Sequence, residues 1–271
     1  MIVIKMSAGL GNQLFQYALY RELLWRGKDV KVELTWFLNT NCDCYYPFQL
    51  EKLGFSVDED QENVVDGKAY FFHLMYVKCA FRELGYHYYP DIFNLDNSYL
   101  YGYWINPRFF VHVADDLKNE VAFPESVGDI KRWEDEIRSC ESVSIHVRKN
   151  DFDYEFFDMY ADKDYYLRAI TYIKDKVKSP VFYVFSNNIP YARELLGKAG
   201  SVRFVDANDR YNGIGDMKLI SLCRHNILSP STFGWWGAFF NKNEHPIVIC
   251  PKMWYENVPT EEVKLDDWII L

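Results

Sequence analysis

The 271-residue chain has no dense run of lysine and arginine, and its formal net charge is −9. A nucleic-acid binder normally presents a basic face, and a polybasic membrane patch needs clustered cations, so neither is expected. No apolar run reaches the length that crosses a bilayer. Met1-Ile2-Val3-Ile4 already reads as a strand, so no signal peptide is expected. Cysteine is sparse and scattered. Of Cys42, Cys44, Cys79, Cys140, Cys223 and Cys250 only the first two are close, and a lone C-x-C is not a zinc framework. The expected setting is cytoplasmic, with reduced thiols. Internal repeats and low-complexity tracts are absent. No predicted strand ends in the D-x-D that holds a nucleotide's metal. Asp115-Asp116 and Asp266-Asp267 read as solvated faces.

Aromatic residues are plentiful, at 18%, and most of these rings should be core. The order of elements is α/β. A strand over 2–6, a glycine loop over 7–13, a helix over 14–26 and a strand over 30–34 open a Rossmann-like half. Residues 70–110 resist parsing, with a helix expected at 70–84. Helices are expected at 111–121 and 129–139, with a linker at 124–128. Strands at 142–147, 181–185, 202–205, 226–229 and 247–250 then alternate with helices, which implies a parallel sheet. Two domains are expected, 1–125 and 126–271, with the C-terminal tail packing back on the first.

Three segments carry chemistry. Gly9-Leu10-Gly11-Asn12-Gln13-Leu14 stands where a phosphate-binding fingerprint stands, and Glu33 where an acid would hold a ribose. NAD binding is therefore one reading. Leu14 opposes it, because it replaces the third glycine of G-x-G-x-x-G. A tight turn without ligand is the other reading. His146, Arg148, Lys149 and Asp151 gather at the end of a buried strand. The planar fork of Arg148 suits a phosphate, whereas Lys149 reads as solvated. His146 is either a satisfied core histidine or a phosphate donor. Ser186-Asn187-Asn188 ends the next strand, as helix caps or as readers of a base or ribose edge. Ser231 and Thr232 precede a helix, where hydroxyls and the first N–H groups face an anion together or simply cap it. Phe233, Trp235 and Trp236 read as packing more than as sugar platforms.

Together these motifs resemble the α-1,2-fucosyltransferases of glycosyltransferase family 11. Gly9 to Tyr17 is similar to that family's N-terminal signature, and His146 to Asp151 to its H-x-R-R-x-D. Ser186-Asn187-Asn188 stands at its S-D-D, and Ser231 to Gly237 resembles S-T-F-S-W-W-G. Gly102-Tyr103-Trp104 to Phe110 resembles G-Y-F-Q-S-x-x-Y-F. The resemblance implies a GT-B-like fold, two Rossmann-like domains facing a cleft. It implies inverting transfer of L-fucose from GDP-fucose to a galactose 2-hydroxyl of a glycan, with no metal. Residues 126–271 would hold GDP-fucose through His146, Arg148, Ser186, Asn187, Asn188, Ser231, Thr232 and Phe233, with Gly11 contributing from the other domain. Residues 1–125 would face the acceptor. Arg148, Asn12 and Asp151 would act in catalysis, with Asp153 and Glu155 as further candidate bases. A lipid-linked acceptor would bring the chain to the inner face of the membrane as a peripheral protein. Three departures stand out: Lys149 replaces the second arginine, Asn187 and Asn188 replace aspartates, and Ile105-Asn106 replaces Gln-Ser. An NAD-dependent oxidoreductase or epimerase and a non-catalytic glycan-binding module are the competing readings.

Overall fold

The computed structural model describes the chain apart from residues 39–45, 61–73, 77–85, 150–160, 198–201, 208–212 and 256–257. It forms two compact units, Met1–Ala122 and Phe123–Leu271.

The first unit contains β1 (Ile2–Lys5), α1 (Leu10–Trp25), β2 (Val30–Glu33), β3 (Leu74–Tyr76), β4 (Ser98–Tyr101) and α2 (Ala114–Glu120). Its strands pair in parallel in the order β2-β1-β4-β3. β1 is flanked on both sides, so Ile2, Val3 and Ile4 are all buried. Near-continuous apolar character is what a strand covered on both faces requires. α1 starts at Leu10, four residues before the expected position. Glycines and Asn12 are poor helix formers, so this turn read as loop. It is held by Asn12 N–H and Gln13 N–H, which donate to the Gly9 carbonyl at 2.9 and 3.1 Å. Leu14, Phe15, Ala18, Leu19 and Leu23 of α1 are fully buried, as are Gln13, Gln16 and Glu22. Burying one such leucine contributes roughly 1.5–3 kcal/mol. The helix expected over 70–84 is not borne out where the structure is described, since β3 is a strand there. β4 was not anticipated at all.

The second unit contains α3 (Gly128–Arg138), β5 (Ser142–Val147), α4 (Lys163–Lys176), β6 (Val181–Ser186), α5 (Ile189–Leu196), β7 (Val202–Phe204), α6 (Ile214–Leu222), β8 (His225–Ile227), α7 (Thr232–Phe239) and β9 (Val248–Cys250). A short antiparallel pair, β10 (Met253–Tyr255) and β11 (Val258–Pro259), precedes β12 (Ile269–Ile270). The parallel sheet runs β12-β9-β8-β5-β6-β7. The C-terminal tail, expected back on the first domain, supplies the edge strand β12 of this sheet. Every residue of β5 is buried. Val143, Ile145 and Val147 pack among Tyr165, Ile170 and Ile173 of α4. Tyr183 and Phe185 of β6 face the other side, with Ile137, Leu219 and Ile220. Helices on both faces make this a doubly wound α/β layer.

Candidate functional site

Strand order places the site in the second unit. From β5 the chain winds outward through β6 and β7, then returns to β8 on the opposite side of β5. The reversal between β5 and β8 is a topological switch point, and ligands of open α/β sheets bind beyond the strand ends there. β5 leads into Arg148 and Lys149, and β8 leads into Ser229, Ser231 and Thr232. Two motifs separated by more than 80 positions thus end side by side.

His146 joins them. Its Nδ1 lies 2.7 Å from Ser229 Oγ, and its ring packs on Phe233 with centroids 5.7 Å apart. The Tyr166 hydroxyl donates to the His146 carbonyl at 3.1 Å. Gly234 sits directly against the ring, and a Cβ there would fall 2.9 Å from Cγ and Nδ1. His146 is therefore a packed and bonded side chain, as the core-histidine reading expects. Burial first, and then the charge of Arg148, depress its pKa to about 3. It is neutral at physiological pH.

This has a consequence for acid stability. The unfolded histidine titrates near 6.5, and the folded pKa lies below that value. The contribution is therefore complete above about pH 6.5 and is lost as pH falls toward about 3. In thermal melts across that window, wild type should lose stability more steeply than a His146→Gln variant. Parallel curves would show that the ring is not held neutral.

Arg148 is half-buried at the strand tip, whereas Lys149 is exposed, with its Nζ 5.2 Å over the Tyr191 ring. Ser231 is the N-cap residue of α7, but its side chain makes no capping bond. The plain-cap reading of its hydroxyl thus falls. Ser231, Thr232 and Phe233 are all half-buried at the sheet edge, and the first turn of α7 carries no acid. A helix start favours an anion by its dipole and its first-turn N–H groups. Trp235 and Trp236 are fully buried, and the Trp235 indole donates to the Val263 carbonyl at 2.6 Å, so both are packing residues.

The β6 end is locally engaged. The Ser186 hydroxyl accepts from Asn188 N–H at 3.0 Å. The Asn188 amide oxygen caps α5 by accepting from Tyr191 N–H at 2.9 Å. Asn187 pairs reciprocally with the Lys149 backbone, accepting its N–H at 2.9 Å and donating to its carbonyl at 2.7 Å. An aspartate could accept but not donate there, so two of the sequence departures, Lys149 and Asn187, meet in one contact. Asp151, Asp153 and Glu155 lie outside the described residues.

The first unit has its own switch point, between β1 and β4. Gln16 ties the two following loops together: its Oε1 accepts from Ser7 N–H at 2.9 Å, and its Nε2 donates to the Gly102 carbonyl at 2.8 Å. Gln13 similarly donates to the carbonyls of Ala8 and Pro47 and accepts from Gln49 N–H. Both glutamines of the motif are structural clamps. They leave half-buried Asn12 on the first turn of α1, beside buried Gly11. Ala8 and Trp104, in these two loops, adopt left-handed backbone conformations with φ of 67° and 57°. Such strain costs on the order of 1–3 kcal/mol each and concentrates at functional sites.

The features that favoured NAD are used up. Glu33 is buried, bonded to the Tyr99 hydroxyl at 2.8 Å, to Thr35 N–H at 2.6 Å and to the Thr35 hydroxyl. Gly9 has an ordinary φ of −71°. Asn106 is likewise structural, accepting from Arg108 N–H and donating to the Tyr86 carbonyl, and Ile105 is core. The D-x-D spacing occurs at Asp58-Glu59-Asp60, Asp151-Phe152-Asp153 and Asp162-Lys163-Asp164. Glu59 bridges to Val32 of β2, Asp60 is buried, Asp162 caps α4 by accepting from Tyr165 N–H, and residues 151–153 lie outside the described residues. Among the described residues, no three His, Cys, Asp or Glu side chains are grouped to hold a metal ion. Nor is any described helix long and apolar enough to cross a membrane.

Known proteins resemble this chain, two of them over most of its length. The α-1,2-colitosyltransferase of Escherichia coli is 29% identical, covering 94% of this chain and 92% of that protein. The O-antigen biosynthesis glycosyltransferase WbnK of Escherichia coli is 26% identical, covering 98% and 99%. Galactoside α-(1,2)-fucosyltransferase 1 of Bos taurus is 26% identical, covering 52% of this chain and 42% of that protein. The glycosyl transferase family 11 model matches residues 1–271, and the chain belongs to that family.

Proposed function

We propose that this family 11 glycosyltransferase moves L-fucose from GDP-fucose to the 2-hydroxyl of a galactose residue in a glycan, inverting at the transferred carbon and using no metal. The observation that carries the reading is the meeting of His146, Arg148 and the Ser231–Thr232 helix start at one switch point. Breaking the bond from fucose C1 to the β-phosphate oxygen puts positive charge on the sugar and negative charge on GDP, as in glycoside hydrolysis. Groups that meet the departing phosphate act most strongly in the transition state. Arg148 supplies the forked contact, and Ser231, Thr232 and the α7 N–H groups supply neutral donors. Phe233, Ser186, Asn187 and Asn188 border the nucleotide. Asn12 and Gly11 belong to the acceptor-facing edge of the first unit. The acceptor hydroxyl gives its proton to a carboxylate, for which Asp151 ranks ahead of Asp153 and Glu155. The acceptor falls among O-antigen-type glycans, met by a cytoplasmic chain at the inner face of the membrane.

One relative is named for colitose transfer, which supports a second donor reading. Colitose is L-fucose without its 3-hydroxyl. A site that hydrogen-bonds that hydroxyl rejects the deoxy sugar by about 10⁴–10⁵, whereas a merely apolar pocket separates the two by only about 10². Competing GDP-fucose with GDP-colitose decides between the donors.

Thermal shift in EDTA tests the donor class and the metal together. GDP and GDP-fucose should raise Tm equally well with and without chelator, and NAD should not, because only a selective ligand stabilises the native state. Stabilisation by NAD alone would overturn the reading. Turnover abolished by EDTA and restored by Mn²⁺ would overturn its metal independence.

A further inference from the structure

We propose that Ser229 is a positioning residue, whose hydroxyl donates to His146 Nδ1 and so holds the ring in the tautomer that presents Nε2–H. The inference rests on the nucleotide-sugar reading above for its purpose, but its geometry stands alone.

Hydrogen-bond accounting selects the tautomer. Ser229 is 1% exposed, and His146 Nδ1 at 2.7 Å is the one partner of its hydroxyl among the described residues. A neutral imidazole offers one donor and one acceptor. If Nδ1–H donated to Ser229, the buried serine proton would have no acceptor among the described residues. Unmatched buried polar hydrogens are rare. If Ser229 donates to bare Nδ1, the serine proton is satisfied and the imidazole proton sits on Nε2, which is not one of the fully buried side-chain atoms left without a partner. The ring is then a neutral donor beside the Arg148 guanidinium.

The arrangement suits a diphosphate. A second cation packed beside Arg148 would repel it, whereas a neutral N–H adds a hydrogen bond without that cost. The ring's orientation is fixed from three sides, by Ser229, by Phe233 and by close-packed Gly234. Ser229 stands just after β8 and His146 within β5, so this bond also spans the switch point itself. In metal sites the partner that bonds a histidine's second nitrogen sets its tautomer in the same way.

Nitrogen-15 NMR of ligand-free protein, with a His146→Gln variant to assign the ring, reads the tautomer directly. Wild type should show a bare Nδ1 and a protonated Nε2. Ser229→Ala should lose that single signature, and Ser229→Thr, which keeps the hydroxyl, should retain it. Ser229→Ala should also lower kcat about tenfold with a smaller change in KM, with Ser229→Thr recovering most of it. A wild-type ring protonated at Nδ1 would overturn the inference without recourse to any variant. A folded Ser229→Ala protein with unchanged spectra and kcat would overturn it too. Since the spectra need no substrate, they fail or succeed independently of GDP binding, which the thermal shift reads.

Discussion

Arg148→Ala should lower kcat by about 10²–10³-fold, the typical effect of losing one preorganised donor to a developing anion, or about 2.7–4 kcal/mol. The size follows from how few cations stand at this strand end among the described residues. Lys149, at the position of the family's second arginine, is exposed and lies over Tyr191, and its backbone is held by Asn187. On the proposed reading the forked contact therefore falls to Arg148. Because Arg148 is half-buried at the strand tip and outside the apolar clusters, the melting temperature should change little. Arg148→Lys should fall between, keeping charge but losing the planar fork. Steady-state kinetics beside thermal melts measure both quantities. Near-normal turnover in Arg148→Ala would remove it from the phosphate site.

The largest effect on stability should come from the first unit. Gln16→Leu preserves the side chain's bulk but leaves Ser7 N–H and the Gly102 carbonyl without their partners. Ser7 is 2% exposed and Gly102 is buried. Each buried polar group left unsatisfied costs roughly 1–3 kcal/mol, so the pair is worth about 2–6 kcal/mol. Leucine recovers a little by its higher helix propensity, a few tenths at most. The same bonds hold together the loops that follow β1 and β4, where Ala8 and Trp104 are strained. Releasing them should therefore also raise KM for the acceptor in whatever fraction remains folded. Denaturant melts report the first effect and acceptor titrations the second. A stability loss below about 1 kcal/mol would mean that these groups find other partners.

Much of the second unit was legible because its strands are short β-type segments with a turn after each. Val181 to Phe185 is a continuous apolar run, as burial on both faces favours, whereas Val143 to Val147 alternates apolar residues with the buried polar Ser144 and His146. The start of α1 was not legible. Gly9-Leu10-Gly11-Asn12 has loop composition, and the turn is helical because Gln13 and Gln16 anchor it to segments far along the chain. β4 was hidden for a related reason. Ser98-Tyr99-Leu100-Tyr101 lies in a stretch so rich in aromatics that no periodic contrast marks it. The residue types at the site were readable, but their pairings were not. Ser229 with His146 and Asn187 with Lys149 are contacts across strand ends, and only the strand order brings them together. Glu33 shows the opposite error. Its position suited a ribose, but Tyr99 from β4 and Thr35, two residues further on, take its oxygens.

Transfer itself is the most direct measurement. Purified protein, GDP-fucose and a panel of galactose-terminated glycans should yield a product carrying one added deoxyhexose, detected by mass spectrometry. NMR of that product should place the new linkage at galactose O2, with the anomeric configuration inverted from the donor. Product from GDP-colitose with none from GDP-fucose, linkage at another hydroxyl, or retention at C1 would contradict the proposed reaction.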